Sequence, residues 1–147
     1  MEKDSAPKPV ASVLGKAPNW YHSGVMGIDE TLGIIYYCAE ELVFALDASD
    51  LSYLAAWPAH IKRTNCLAVS SSPNGPSLAT GGSDKVVRLW APKIDSKGLS
   101  NKQEVLFEHR LHKADIRAVQ WSSDNQTVIS DKAATPATNR QRMLREK

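Results

Sequence analysis

Four residues of this chain could act together chemically: His60, Thr80, Asp84 and Trp90. A histidine paired with an aspartate could serve a hydrolase, with the imidazole as general base and the carboxylate orienting it. No nucleophile accompanies this pair, and a buried carboxylate needs the donors that an imidazole, a hydroxyl and an indole supply. We therefore interpret the four residues as a structural hydrogen-bond network and expect that the protein is not an enzyme.

Residues 77–90 have the pattern of a strand, a tight turn and a second strand. Apolar residues lead into two glycines, an aspartate follows in the turn, and β-branched and aromatic residues fill the returning strand. The pattern predicts strands over 78–82 and 86–90. With His60 upstream, this stretch resembles the WD repeat, whose unit is one four-stranded blade of a β-propeller.

Similar short segments recur along the chain, with turn residues between them. Residues 68–69 align with 118–119, and 78–80 align with 128–130, at the same offset of 50. The sequence therefore predicts an all-β fold, a partial WD40 β-propeller of about two and a half antiparallel four-stranded blades. The incomplete propeller is expected to span 18–131, with blades at about 18–58, 60–109 and 112–131, and with one strand over 116–121.

The two ends of the chain lack this pattern. Residues 1–17 are rich in Pro, Lys, Ser and Ala, which predicts a disordered leader. After Ser130 the glycine, the turn aspartate and the strand ending in tryptophan are missing, so the third blade is expected to stop halfway. Residues 132–147 form a basic tail, predicted as disordered or as a short helix. A truncated isoform and a gene-model error both fit this ending.

The HxxH spacing of His109 and His112 could hold a metal if both residues lay on one helix face. Here one histidine ends a predicted strand and the other begins the next blade. No set of cysteines or carboxylates converges on them. We expect no metal site and no cofactor.

The overall composition argues for no particular ligand. The chain has 18 Lys plus Arg against 16 Asp plus Glu, a net charge of +2 that is too small to indicate nucleic-acid binding by itself. Cys38 and Cys66 form no CxxC pair, which favours reduced thiols. The sequence has neither a signal-peptide pattern nor an apolar run of membrane-spanning length, so we expect a cytoplasmic and nuclear protein with no membrane partner.

Two adjacent aromatic residues, Trp20 and Tyr21, precede the first predicted strand in a polar segment. One interpretation is that they pack the leader against the first blade. The other is that they form a stacking platform for an unpaired base, with Asn19 or His22 reading the base edge. Residue chemistry leaves both interpretations open.

Residues 18–21, together with 108–112 and 116–122, resemble the amino-terminal WD-repeat region of the fifth-gemin family, the RNA-binding subunit of the survival-of-motor-neuron complex. The resemblance covers about 18–130. It implies recognition of small nuclear RNA, through the 5′ cap and the Sm-site region, for spliceosomal snRNP assembly. It also implies that Trp20 and Tyr21 stack on RNA or on the cationic methylguanine of the cap. The implied partners are small nuclear RNA and other subunits of that complex.

Two other functions stay open. A WD-repeat protein–protein interaction scaffold would pack Trp20 and Tyr21 inward against the first strands. A non-functional truncated product would expose blade faces and unpaired strand edges, which predicts poor solubility or self-association.

Overall fold

The computed structural model describes residues 18–19, 24–70, 77–110, 112–132 and 142–145, and every regular element within these ranges is a β-strand. The predicted leader at 1–17 lies outside them. Within the same ranges no helix is long and apolar enough to cross a membrane.

The strands form three antiparallel sheets and one short hairpin. The first sheet has the order β1 (Met26–Asp29), β2 (Ile34–Ala39), β3 (Leu42–Asp47), β4 (Tyr53–Pro58). The second sheet is built from β5 (Thr64–Val69), β6 (Leu78–Gly82) and β7 (Val87–Trp90), and its outer strand is β10 (Val105–His109). The hairpin consists of β8 (Ile94–Asp95) and β9 (Gly98–Leu99). The third sheet is β11 (Ile116–Trp121), β12 (Thr127–Lys132), β13 (Arg142–Arg145).

The three sheets lie side by side through their innermost strands. Strand β5 packs against β1 and β2 of the first sheet on one side and against β11 of the third sheet on the other. This succession of two four-stranded antiparallel sheets and one three-stranded sheet confirms the predicted fold class, a partial β-propeller.

Two apolar clusters fill the spaces between the sheets. Between the first and second sheets, Tyr36 meets Trp57 edge to face and Trp57 meets Trp90, with ring centroids 6.1 Å apart in both pairs. Between the second and third sheets, Ile116 and Trp121 pack against apolar residues of β5, β6 and β7. Burial of a large side chain contributes about 1.5–3 kcal/mol, so these clusters hold the sheets together.

The end of the chain differs from the sequence prediction. Residues 142–145, expected to be disordered or helical, form β13, which pairs with β12. Arg142 lies opposite Ser130, and Leu144 lies opposite Val128. In the second sheet Arg88 and Trp90 lie opposite Thr80 and Leu78 in the same way, so β13 is the counterpart of β7. The sequence did not predict β13, because the connection from β12 to β13 at 133–141 is longer than the turn from β6 to β7 at 83–86. The longer connection places β13 outside the repeat period of 50 residues.

The residues between β7 and β10 form an arm, 91–104, that carries β8 and β9. The arm folds back onto the outer strand of the first sheet, where Asn101 Oδ1 accepts hydrogen bonds from the Ala56 amide and lies 3.0 Å from the Tyr53 hydroxyl. An edge strand has unpaired backbone groups that can attract other chains. The arm therefore protects the edge of β4 as well as connecting two strands.

The strand directions alternate, so each sheet has two ends. The upper end contains the turns and loops at 40–41, 59–63, 83–86 and 112–115, and the lower end contains the turns at 30–33, 48–52 and 122–126 and the arm at 91–104.

Candidate functional site

The structure brings His60, Thr80, Asp84 and Trp90 into one chain of hydrogen bonds at the upper end. His60 Nδ1 lies 2.8 Å from Asp84 Oδ1, and His60 Nε2 lies 2.9 Å from Thr80 Oγ1. Trp90 Nε1 donates to the same Thr80 oxygen at 2.9 Å. Because the ionised Asp84 carboxylate can only accept, the imidazole proton lies on Nδ1; the Thr80 hydroxyl then donates to His60 Nε2 and accepts from Trp90.

The charges of this network are those of a neutral histidine and an ionised aspartate. Burial lowers the pKa of His60, although Asp84 acts in the opposite direction. Burial alone would raise the pKa of Asp84, but the hydrogen bond from His60 and the charge of Arg88 outweigh it and hold the pKa at about 2. The Thr80 hydroxyl is fully buried and already bonded twice. The arrangement therefore binds the strands together and offers no accessible nucleophile.

Gly82 explains why His60 can lie so close to β6. A Cβ at Gly82 would come within 2.6 Å of the His60 ring and 2.8 Å of Asp84 Oδ1. Real side chains do not tolerate such distances, so the network requires a glycine here.

Arg88 and Glu108 extend the network and were not identified from the sequence. Arg88 is 6% exposed, and its Nη1 donates to Asp84 Oδ2 at 3.1 Å and to the carbonyl of Ala59 at 2.8 Å. Its Nε and Nη2 contact Glu108 Oε1 at 2.7 and 2.6 Å, which lowers the pKa of Glu108. The residues Thr80, Arg88 and Glu108 lie opposite one another on three adjacent strands. Their cross-strand pairing could have identified Arg88 and Glu108, but recognising it requires the strand register of the second sheet, which the sequence alone does not provide.

The third sheet repeats part of this arrangement. His112 Nε2 lies 2.8 Å from Ser130 Oγ, as His60 lies beside Thr80. The His109 and His112 rings meet edge to face with centroids 5.9 Å apart. Their nitrogens therefore do not form a helical metal-binding pair. Over the described ranges no group of three or more histidine, cysteine or acidic side chains could hold a metal.

Asn19 attaches the N-terminal segment to the upper end. Its Nδ2 donates to the carbonyls of Glu40 at 3.0 Å and Thr64 at 2.8 Å, and its Oδ1 accepts from the Glu40 amide at 2.9 Å. The Asn19 amide also donates to the Cys38 carbonyl at 2.9 Å. With these bonds made and only 8% of the residue exposed, Asn19 does not read a base edge, which was one of the interpretations that the sequence left open.

Trp20 and Tyr21, the predicted stacking pair, lie outside the described residues, as does His22. The structure does describe the flanking residues Asn19 and Gly24. Asn19 is bound to Thr64, and the Gly24 carbonyl accepts from the Leu67 amide at 2.8 Å. The segment that contains the aromatic pair therefore begins and ends against β5, the innermost strand of the second sheet.

Residues 51–91 match the family model described as WD domain, G-beta repeat. The matched range begins just before β4 of the first sheet and ends just after β7 of the second, so it spans the interface between two sheets. No curated protein matches the chain. WD40 repeats generally act as non-enzymatic scaffolds, and the residues of the hydrogen-bond network lie within the matched range. This chain thus contains a WD40 repeat, set within a partial β-propeller.

Proposed function

We propose that this chain is an RNA-binding WD-repeat protein of the gemin type, which recognises small nuclear RNA through its 5′ cap and Sm-site region for spliceosomal snRNP assembly. Its other partners would be subunits of the survival-of-motor-neuron complex, in the cytoplasm and the nucleus. Trp20 and Tyr21 would supply the stacking surfaces. The sequence Pro-Asn-Trp-Tyr at 18–21 motivates this assignment.

The observation that carries the proposal is the anchoring of Asn19. An aromatic platform binds a base well only when it is held in place before the base arrives, because ordering a free segment costs binding free energy. Asn19 makes three side-chain hydrogen bonds to backbone groups of two sheets. The residue that directly precedes Trp20 in the sequence is therefore fixed at the upper end.

The test is a fluorescence titration of the full chain with a methylguanosine cap analogue and with an Sm-site oligoribonucleotide. Trp57, Trp90 and Trp121 are 1%, 2% and 8% exposed, so their emission is shielded from a ligand. We expect quenching in the wild type and its loss in Trp20→Ala. Each stacked base contributes about 1–3 kcal/mol, so affinity should fall by roughly 5- to 150-fold. Phe107→Ala is the matched control, because it removes an exposed aromatic ring from β10. Equal affinity of wild type and Trp20→Ala for both ligands would refute the stacking role.

A second candidate function, a protein–protein interaction scaffold, is favoured by the outer strand of the second sheet. Val105, Leu106 and Phe107 are 40%, 52% and 45% exposed. In the first sheet Tyr53 of β4 lies opposite Leu46, just as Val105 of β10 lies opposite Trp90 in the second sheet. Two residues further along each outer strand, Ala55 therefore occupies the position in the first sheet that Phe107 occupies in the second. Ala55 is fully buried. The second sheet thus presents apolar surface where the first sheet is covered.

A further inference from the structure

The charges of the described residues are divided between the two ends of the sheets. The exposed basic residues at or beside the upper-end loops are Lys62, Arg63, Lys85, Arg110 and Lys113. The Asp84 carboxylate among them is bonded internally to His60 and Arg88. Glu40, Glu41 and Asp115 are the other carboxylates of these loops. Arg110 pairs with Glu108, Nη2 to Oε2 at 2.9 Å, so the upper end is positive by a small margin.

The lower end has the opposite sign. Its turns at 30–33, 48–52 and 122–126 contain the acidic residues Glu30, Asp50 and Asp124 and neither lysine nor arginine, and Asp47 ends β3 beside them. The arm, which leaves β7 at this same end, carries Lys93, Lys97 and Lys102 together with Asp95 and Glu104, so the lower end stays negative overall. Asp47, Asp50 and Asp124 accept hydrogen bonds from amides of their own turns. Hydrogen bonds from the side chains of Ser52 and Ser122, aided by the amide bonds, lower the pKa of Asp50 and Asp124. A cavity of about 400 Å³ between the ends of β1 and β5 is also lined by acids, Asp29 and Glu30. A polyanion is repelled from this end.

The upper-end loops that carry the lysines are joined to one another. The Ser83 amide donates to the Arg63 carbonyl at 2.8 Å, which ties the loop of Lys62 to the turn of Lys85. Asn65 Nδ2 donates to the Ile116 carbonyl at 2.9 Å and lies 3.0 Å from Ser83 Oγ, which brings the strand after Lys113 to the same turn. The cations are thus held on a connected set of loops across the second sheet and both of its neighbours.

From this distribution we infer that the upper end binds the phosphodiester backbone of single-stranded RNA, with Lys62, Lys85 and Lys113 contacting phosphates. The inference rests on the proposed function, because Asn19, the residue before the aromatic pair in the sequence, bonds to Thr64 at this same end. Stacking surfaces beside a positive track are the combination that holds single strands. The charge separation also orients an approaching RNA toward the upper end.

The test measures the salt dependence of binding of the full chain to a single-stranded Sm-site oligoribonucleotide of about 12 nucleotides. The variant Lys62→Gln/Lys85→Gln/Lys113→Gln removes the proposed phosphate contacts. The control Lys93→Gln/Lys97→Gln/Lys102→Gln removes the same charge from exposed positions of the arm. Both variants should keep the wild-type melting temperature, because exposed substitutions change stability little.

We expect the upper-end variant to reduce the slope of log K against log salt concentration by about 2, since each phosphate contact on a single strand contributes about 0.7. The arm variant should keep the wild-type slope. An unchanged slope in the upper-end variant, or an equal change in both variants, would overturn the inference. Trp20→Ala separates this result from the proposed function, because loss of stacking lowers affinity without altering the slope. If Trp20→Ala weakens binding while the upper-end variant keeps the wild-type slope, the proposed function stands and the phosphate track is wrong.

Discussion

Asn19 donates from Nδ2 to the carbonyl of Thr64 at 2.8 Å, a bond between residues 45 positions apart. Thr64 begins β5, the innermost strand of the second sheet, and its amide donates to the Glu40 carbonyl. Asn19 also bonds to both backbone groups of Glu40. One asparagine therefore closes a junction between the N-terminal segment and two sheets, directly before Trp20.

Replacing Asn19 by alanine should weaken RNA binding although the side chain faces the protein. The change leaves the Glu40 amide and two carbonyls without this partner, which costs about 1–3 kcal/mol of unfolding free energy. It should also release the aromatic segment and lower affinity for an Sm-site oligoribonucleotide, measured by fluorescence anisotropy. Asn101→Ala is the control, because Asn101 also bonds to backbone but holds the arm against β4. Equal effects of the two substitutions on RNA affinity would show that Asn19 acts only through general stability.

Gly81→Ala should destabilise the junction of the second and third sheets. A Cβ at Gly81 would lie 2.4 Å from Ile116 Cγ2 and 2.9 Å from Cys66 Sγ. We expect a loss of about 1–3 kcal/mol, as for other overpacked sites, measured by urea denaturation. Adding Ile116→Ala removes Cγ2, the nearest atom of this contact, and should make the combined loss smaller than the sum of the single losses. Strictly additive losses would rule out the close approach as the cause.

The stability of the fold should decrease as pH falls below about 6.5. Burial lowers the pKa of His60 from its ordinary 6.5, so the folded state holds the imidazole neutral while the unfolded state takes up a proton. This contribution is fully present above pH 6.5 and is lost progressively as pH falls below it. Denaturation at about pH 7.5 and pH 5.5 measures the difference. His60→Gln should flatten the profile, while His109→Gln serves as the comparison. A profile that is identical in wild type and His60→Gln would contradict this assignment.

The exposed outer strand β10 should promote association of the isolated chain. An edge strand with consecutive apolar residues is a site for pairing with another chain. Phe107→Ser should reduce the concentration dependence of the sedimentation coefficient without lowering the melting temperature, because Phe107 is 45% exposed. Tyr53→Ser is the matched control on β4, which the arm covers. A wild-type chain that stays monomeric over the whole concentration range would contradict the prediction.

Elements defined by local pattern were predictable from the sequence. Strands over 78–82 and 116–121 have the predicted bounds, because a glycine turn or the repeat period marks them. The sequence motif also led to the four residues from His60 to Trp90, which lie in hydrogen-bond contact. In both cases the information is contained within one repeat.

Features that depend on distant partners were not predictable. Arg88 is buried because Ala59 and Glu108 receive its hydrogen bonds, and neither lies near it in sequence. The interpretation that Asn19 reads a base edge stayed open from the sequence, because its backbone partners are 21 and 45 positions away. Strand β13 was missed because the long connection before it breaks the period. The difference in charge between the upper and lower ends depends on the alternating strand directions, because these bring loops that are distant in sequence to the same end of the sheets.

Photo-crosslinking of the full chain to an Sm-site oligoribonucleotide that carries a photoreactive uridine tests RNA binding at the upper end most directly. Mass spectrometry of the digested adduct then locates the contacts. We predict crosslinks in the peptide containing Trp20 and Tyr21 and in peptides from 59–63 and 83–86. Failure to form a complex, or crosslinks confined to the arm and the lower-end turns, would contradict it.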